Sequence, residues 1–558
     1  MNKRIDPANA ATAFLLITLF VALSYARLWT IRDGIWDDNC WLLSAYATEN
    51  LGQFLETGFA ELRRVGYGIF LYFFFGLHRD SDYFYAVWHS LNLLTQIGTP
   101  WLIYLLVRSL FPAYSLYAVL SALAFVIFPL DFTLPYASGI SHRMALLLNL
   151  LSIYLTHRTL TAEKKWLTLT AALLTAGLGY YVFMEAAIAL EPARIFAIAY
   201  HHYLRGHRLG TLTRSTAVRY LPFFLLCLSL VFYKLGVKSH GIYADIYRFN
   251  PLFMLQWWDI AKALAHFAFL QWWVLLRHLQ DVSVVSYILG IVAFGVSLLL
   301  YRHLADNHDQ VSAVTISPTP LPAESNPAQR TMRPIILFGA LLFLPSILIH
   351  HAFSQPISWG MHSNHAVLAQ AGYAMATGWV LWRVFAVSPG RRGGHSWGPS
   401  LLVCAWIGLG VFFSNANIDM YRKSWEEQSR FWTIFMQRFP TLPEHATFFF
   451  DVQDGKLYSD LINYYDFEFQ MNHLYDRGGP ASRFRKYRAY TITELHETRG
   501  RTPESLIRAP SIERLSHLGK DILNPRDFIV VHYRNGRLLV GQEVLREYPT
   551  IAYRDWLR

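Results

Sequence analysis

Charge is scarce in this chain: Asp, Glu, Lys and Arg make up 16% of its 558 residues, while 54% are apolar or aromatic. Soluble domains carry about a quarter charged residues. The shortage is also uneven. Residues 416–558 hold 21 Lys+Arg and 19 Asp+Glu, which leaves 28 and 19 for the first 415 residues. The front of the chain is therefore composed for lipid and the tail for water. Disorder is excluded by the abundance of apolar and aromatic side chains. With three distant cysteines, Cys40, Cys227 and Cys404, a disulfide scaffold is excluded too, and neither a structural disulfide nor a zinc site is expected. The polar tail contains no Walker loop, GxGxxG, HExxH or GxSxG motif, and the chain shows no repeat of a solenoid's period. Most of the net charge of +11 borders hydrophobic runs, the pattern of membrane topology and not of polyanion binding, so nucleic acid is not an expected partner.

What the chain has instead is long apolar runs. Eleven could cross a hydrocarbon core of about 30 Å: residues 10–30, 84–107, 112–130, 142–157, 166–184, 186–204, 217–237, 282–301, 334–351, 364–385 and 399–415. The first follows Met1-Asn2-Lys3-Arg4 as a signal peptide would, but it is long, ends in Tyr25-Ala26-Arg27 and lacks a small-residue cleavage site. It reads as a retained helix. Placing Lys3 and Arg4 inside also puts inside Arg158, Lys164 and Lys165, then Arg205, Arg208, Arg214 and Arg219, then Arg391 and Arg392. That parity requires segment 251–280, with Trp257, Trp258, Trp272 and Trp273, to lie in the interface and not to cross. The Pro/Ser/Asn-rich stretch 303–332 reads as a flexible inner loop. The expectation is a polytopic α-helical protein of a cytoplasmic (inner) membrane, bacterial in type, with residues 1–415 in the membrane, a large first outer loop at 31–83, the N-terminus inside and the tail outside.

In the tail, a helix is predicted from Tyr421 to Phe439, stopped by Pro440 and Pro443. Strands are predicted at 446–451 and 528–533, and Asn535-Gly536 marks a hairpin into Leu538-Leu539-Val540, because Asn-Gly accepts positive φ. Residues 416–558 thus read as a small extracytoplasmic α/β or α+β domain.

Chemistry concentrates on the outer side. Asp37 and Asp38 are adjacent carboxylates among aromatics, a setting that raises the basicity of one and suits proton abstraction from a hydroxyl or oxygen ligation of a divalent cation; the alternative is an N-cap ahead of Trp41. Arg63 and Arg64 precede an aromatic in-plane segment at headgroup depth, where guanidinium groups suit lipid phosphate or simple anchoring. His142 and Arg143 open the fourth run, and Glu185 closes the fifth. Charges at membrane depth face a cavity or a partner, and an Arg143–Glu185 pair would be structural. Glu191-Pro192-Ala193-Arg194 marks a broken helix lining a cavity. Lys234, Lys238, His240 and Arg248 form a further cationic group, which together with Arg64 and Arg143 outlines an anionic-ligand pocket. His350, His351, His362 and His365 lie in or beside one outer loop without metal-ligand spacing on a regular element, and His201-His202 fits an interfacial position.

The order of these features resembles the GT-C superfamily of polytopic glycosyltransferases, in its O-mannosyltransferase-like branch. The matching residues are Asp37-Asp38 in the first outer loop, Arg64-Val65 before a surface helix, His89 with Asn92 in the second run, and Phe128-Pro129 through Ser141-His142-Arg143. Phe183-Met184-Glu185, then Arg422, Trp425, Gln428 and the Pro440 turn, complete the series. Val65 stands where the family has proline, and Asn364-His365 where it has Arg-Tyr. The resemblance implies a polyprenyl-phosphate-linked sugar donor, a glycan, lipid or protein acceptor with a hydroxyl, and inversion at the sugar carbon. Asp37 or Asp38 would be the general base. Lipid phosphate and substrate would be bound by Arg63, Arg64, His142, Arg143, Glu185, Lys234, Lys238, Arg248 and His365. Mg2+ or Mn2+ assists some such enzymes, and the metal is left open. The rivals are a non-catalytic envelope scaffold and a lipid or solute transporter; the latter predicts internal symmetry between halves, and none is visible.

Overall fold

The computed structural model describes residues 7–31, 41–42, 44–45, 48–56, 64–76, 84–128, 131, 133–136, 139–236, 257–265, 276, 279–315, 327–352, 365–387, 397–452, 464–475, 486–492, 509–516 and 519–548. Its larger helices are α1 (Pro7–Tyr25), α2 (Val65–Leu71), α3 (Phe84–Leu110), α4 (Ser115–Ile127), α5 (Ile140–Thr159), α6 (Lys165–Gly177), α7 (Glu191–Leu204) and α8 (Leu209–Gly236). They continue with α9 (Trp257–Ala265), α10 (Val284–Thr315), α11 (Pro327–Ala352), α12 (Val367–Val387) and α13 (Trp397–Arg438). Each of the eleven apolar runs contains a helix, as it must where lipid cannot satisfy backbone polar groups. Among the described residues, six helical stretches are individually long and apolar enough to cross a membrane: Ala10–Thr30, Phe84–Leu110, Lys165–Phe183, Leu209–Lys234, Arg333–Ala352 and Gly398–Arg438. The chain is a helical membrane protein.

Its polar side chains turn inward. On α3, His89, Asn92, Gln96 and Thr99 recur at helical spacing and are buried, whereas Val87 and Leu94 on the other face are exposed. That is the reverse of a water-soluble helix and the pattern expected when the outside is hydrocarbon. Close packing of helices is secured by small residues. α10 runs along α13, where a Cβ on Gly408 would come within 2.8 Å of the carbonyl oxygen of Gly290. α4 packs on α12, cross-linked where Tyr117 donates to the Met375 carbonyl at 2.9 Å and Gln370 to that of Phe125 at 3.0 Å. One end of the bundle is tied by Asp419 on α13, which is buried, pairs with Arg27 after α1, and accepts from Ser283 N at 2.9 Å and Ser286 Oγ at 2.6 Å at the start of α10.

Two sequence expectations need correction. Residues 303–315 and 327–332, expected within the flexible loop 303–332, are helical, as extensions of α10 and α11. Nothing between His303 and Thr315 breaks a helix; the prolines begin at Pro318. The boundary expected between 415 and 416 also falls inside one helix. α13 is continuous over 42 residues, about 63 Å at 1.5 Å per residue, roughly twice the span of a hydrocarbon core. No proline or glycine interrupts it between Gly410 and Pro440. Its far half leaves the bundle beside Tyr136, whose ring meets that of Tyr421 at 5.3 Å.

That far half is one wall of the C-terminal fold. A four-stranded sheet has the order β2-β1-β5-β6, with β1 (Thr447–Val452) parallel to both β2 (Arg488–Thr491) and β5 (Phe528–Arg534), and β6 (Arg537–Val540) antiparallel to β5. β3 (Ile512–Ser516) and β4 (Gly519–Leu523) form a separate hairpin. Alternation along the strands sorts the faces. Phe448, Phe450, Val531 and Tyr533 pack on Phe431, Trp432 and Phe435 of α13, with Phe467 and Met471 of α14 (Tyr464–Tyr475). Phe449 and Val530 face Ile512, Leu523 and Val544, the last on α15 (Gln542–Glu547). The β5–β6 turn is the expected Asn535-Gly536, with φ of 51° and 72°.

Candidate functional site

The first turn of α5 carries Arg143, which is 2% exposed. Its Nε donates to Asp131 Oδ2 at 2.7 Å, one terminal nitrogen to Asn92 Oδ1 at 2.8 Å, and the other to the Thr133 carbonyl and, at 3.2 Å, its hydroxyl. Asn92 in turn donates to the Leu134 carbonyl at 3.0 Å. Described residues of the loop preceding α5 thus meet a guanidinium each of whose three nitrogens is hydrogen-bonded. Arg143 does not pair with Glu185. His89, the other α3 residue of the resemblance, donates from Nε2 to the Ile31 carbonyl at 3.1 Å, which anchors the chain where it enters 32–40.

Glu185 has different partners. Helix α6 passes through a wider turn at Leu178–Phe183, and a 3-10 turn from Glu185 to Leu190 follows. Glu185 Oε2 lies 3.4 Å from Arg64 Nε, and Oε1 lies 3.1 Å from Lys234 Nζ at the end of α8. The three side chains are 24%, 16% and 26% exposed. Burial pushes the Glu185 carboxyl up, but the Arg64 and Lys234 charges outweigh this and hold it down at about 2. The small cleft they share is walled by Tyr180, Tyr181, Phe183, Leu230 and Tyr233. Gly66 brings α2, and with it Arg64, against this wall: a Cβ there would meet the Tyr181 carbonyl oxygen at 2.7 Å. Two cations and a carboxylate thus meet in an aromatic-lined recess, where guanidinium and ammonium groups are of the type that binds phosphate.

Beside it, three histidines meet. The ring centroid of His142 is 6.3 Å from that of His350, at the end of α11, and 6.0 Å from that of His365, just before α12; His350 and His365 are 5.1 Å apart. His350 was not among the expected site residues, because its sequence neighbourhood reads as a loop margin. The tyrosines of the cleft carried no signal beyond their position at the ends of spans.

Glu191 and Arg194 do not line an open cavity. Arg194 Nε sits 2.9 Å from Glu191 Oε1, Tyr180 donates to the same carboxylate, and Arg194 donates to Ser152 at 2.8 Å and Thr156 at 2.7 Å. The two charges are paired inside the bundle, as charges at this depth require. Pro192 sits in the first turn of α7, where its missing N–H costs nothing. Arg422 faces Asp419 at 3.7 Å and Glu426 at 3.6 Å. Asp37, Asp38, Arg63, Lys238, His240 and Arg248 lie outside the described residues, as does Cys40; Cys227 and Cys404 are unbonded and buried. Among the described residues no group of three His, Cys, Asp or Glu is arranged to hold a metal ion.

In comparisons with known proteins the chain matches no family model, no curated protein and no solved structure.

Proposed function

We propose that this protein is a membrane glycosyltransferase that moves a sugar from a polyprenyl-phosphate-linked donor to an acceptor hydroxyl on the outer face of the membrane. The observation that carries the reading is the convergence of Arg64 and Lys234 on Glu185 in an aromatic-walled recess at the end of the helical bundle. The tail of the donor would lie between helices, its phosphate against the cations and its sugar against the tyrosines. Asp37 or Asp38 takes the proton of the acceptor hydroxyl as that oxygen attacks the anomeric carbon from the face opposite the phosphate. The bond from that carbon to the phosphate oxygen breaks, and the electron pair leaves with the phosphate, whose charge is met by Arg64 and Lys234. With the N-terminus inside and eleven crossings, the sheet-bearing half of α13 emerges on the catalytic side, where the C-terminal fold helps select the acceptor.

The test is the envelope glycan profile of a deletion strain complemented with wild type, Asp37→Asn or Asp38→Asn. The reading expects a glycan lost on deletion and unrestored by one Asn variant that reaches wild-type membrane levels. Full restoration by both variants makes the acidic pair structural and favours the scaffold.

A further inference from the structure

We propose that His142, His350 and His365 together seat a phosphate group, and that the phosphate binds together with protons, so that the site holds its anion more tightly as pH falls. The inference rests on the transferase reading for the source of that phosphate, the lipid-linked donor or its lipid phosphate product; the chemistry recognised is the phosphate itself.

The three imidazoles come from three separate elements, the first turn of α5, the last turn of α11 and the turn leading into α12. Their rings lie 5.1–6.3 Å apart, with His142 and His350 buried and His365 half-buried. Nδ1 of His142 is 3.2 Å from Ser141 Oγ, while its Nε2 is buried and has no hydrogen-bond partner among the described residues. A buried ring nitrogen left in that state asks for a ligand atom. The groups that act on His142 through space are His365, His350, Arg64 and Arg143, each cationic or able to become so. Arg143 is committed to Asp131, and Arg64 to Glu185.

Protonated imidazoles this close repel one another, and a bound anion lowers that repulsion. An anion that enters therefore draws protons onto the rings. Three N–H donors approaching from three elements match the several oxygens of a tetrahedral phosphate better than the two of a planar carboxylate. The cluster neighbours the cleft through Arg64, which lines the cleft and acts on His142, and its imidazoles supply positive charge on demand and not permanently.

The experiment measures binding without turnover. The full chain in detergent is titrated from about pH 6 to about pH 8, the range in which histidine changes charge, with inorganic phosphate, a prenyl monophosphate and a prenyl phosphodiester. The diester keeps one charge throughout, so any slope it shows belongs to the protein. The expected result is an affinity for the diester that falls about tenfold or more across the range. His365→Gln and His350→Gln are each expected to weaken binding at the acid end about tenfold and to flatten the slope. His365 is the less buried, so its variant keeps the test decisive if His350→Gln unfolds. A wild-type affinity independent of pH, or a wild-type slope in His365→Gln, overturns the proposal. Prenyl probes binding more tightly than inorganic phosphate identify a lipid source; equal binding identifies free phosphate and removes support from the transferase reading alone. Sugar transfer with a wild-type pH slope in His365→Gln overturns the proposal and leaves that reading standing.

Discussion

Two arginines at the same end of the bundle have opposite situations. Arg143 is sealed among Asp131, Asn92 and Thr133 with each of its three nitrogens hydrogen-bonded, whereas Arg64 meets Glu185 at 3.4 Å beside an open recess. Residue type does not separate them, and neither does proximity to membrane. The difference lies in setting: the Arg143 guanidinium is enclosed and holds a loop in place, whereas Arg64 lines a recess that a ligand can reach.

That comparison breaks most visibly at Arg143. Arg143→Met leaves the Asp131 carboxylate buried without its cation, and chemical unfolding in detergent is expected to show a loss of about 3–5 kcal/mol. Adding Asp131→Asn should recover part of it, because the pair is coupled; no recovery would mean that the loop is held by something else. Next in size is the acid limb. Because the Glu185 carboxyl is held down at about 2, its contribution is present above the ordinary carboxylate range and is lost as pH falls through about 4 toward 2, with a full size of about 3 kcal/mol. Glu185→Gln should flatten the unfolding profile over that window while leaving the profile above pH 5 parallel to wild type. Arg64→Gln carries the contrast to function: unfolding shifts by a share of the roughly 3 kcal/mol that the Glu185 carboxylate contributes, while affinity for a prenyl phosphate drops roughly tenfold to a hundredfold. A large stability loss without a change in affinity would make Arg64 a second lock. The smallest effect belongs to the sheet, where Gly536→Ala at φ of 72° should cost about 1 kcal/mol and leave phosphate binding unchanged.

The bundle and the tail differ in how far sequence reasoning reached. Apolar runs located the helices, since a lipid-facing segment has to be helical wherever it lies. Asn535-Gly536 located a hairpin for an equally local reason, the positive φ that those residues accept. The β1 and β5 strands were readable from short runs such as Phe448-Phe449-Phe450. β2 was not, because Arg488–Thr491 is four residues long and finds its place by pairing with β1 across 41 positions of chain. The unity of α13 was missed because its composition changes from apolar to charged near Ala416, although a helix ends at a breaker and not at a change of solvent.

For the candidate site, Arg64, His142, Glu185, Lys234 and His365 were named from position and type, and these five meet at one end of the bundle in two adjoining groups. Their partners were misjudged. The pairing of Arg143 with Asp131, and not with Glu185, depends on where Asp131 and Thr133 stand against the first turn of α5. His350 entered the cluster only because α11 extends to Ala352 and delivers it to α5.

By itself the sequence determined that this chain is helical and membrane-embedded, that its tail is composed for water, and which charged groups stand at the ends of its apolar runs. Those properties follow from solvent, periodicity and local dihedral preference, each read within a few residues. Tertiary structure alone decided which of those charges are consumed by one another and which are left facing a recess. Satisfaction of a buried polar group is a property of its neighbours in space, and in this bundle they lie as many as 392 positions apart in the chain, as between Arg27 and Asp419.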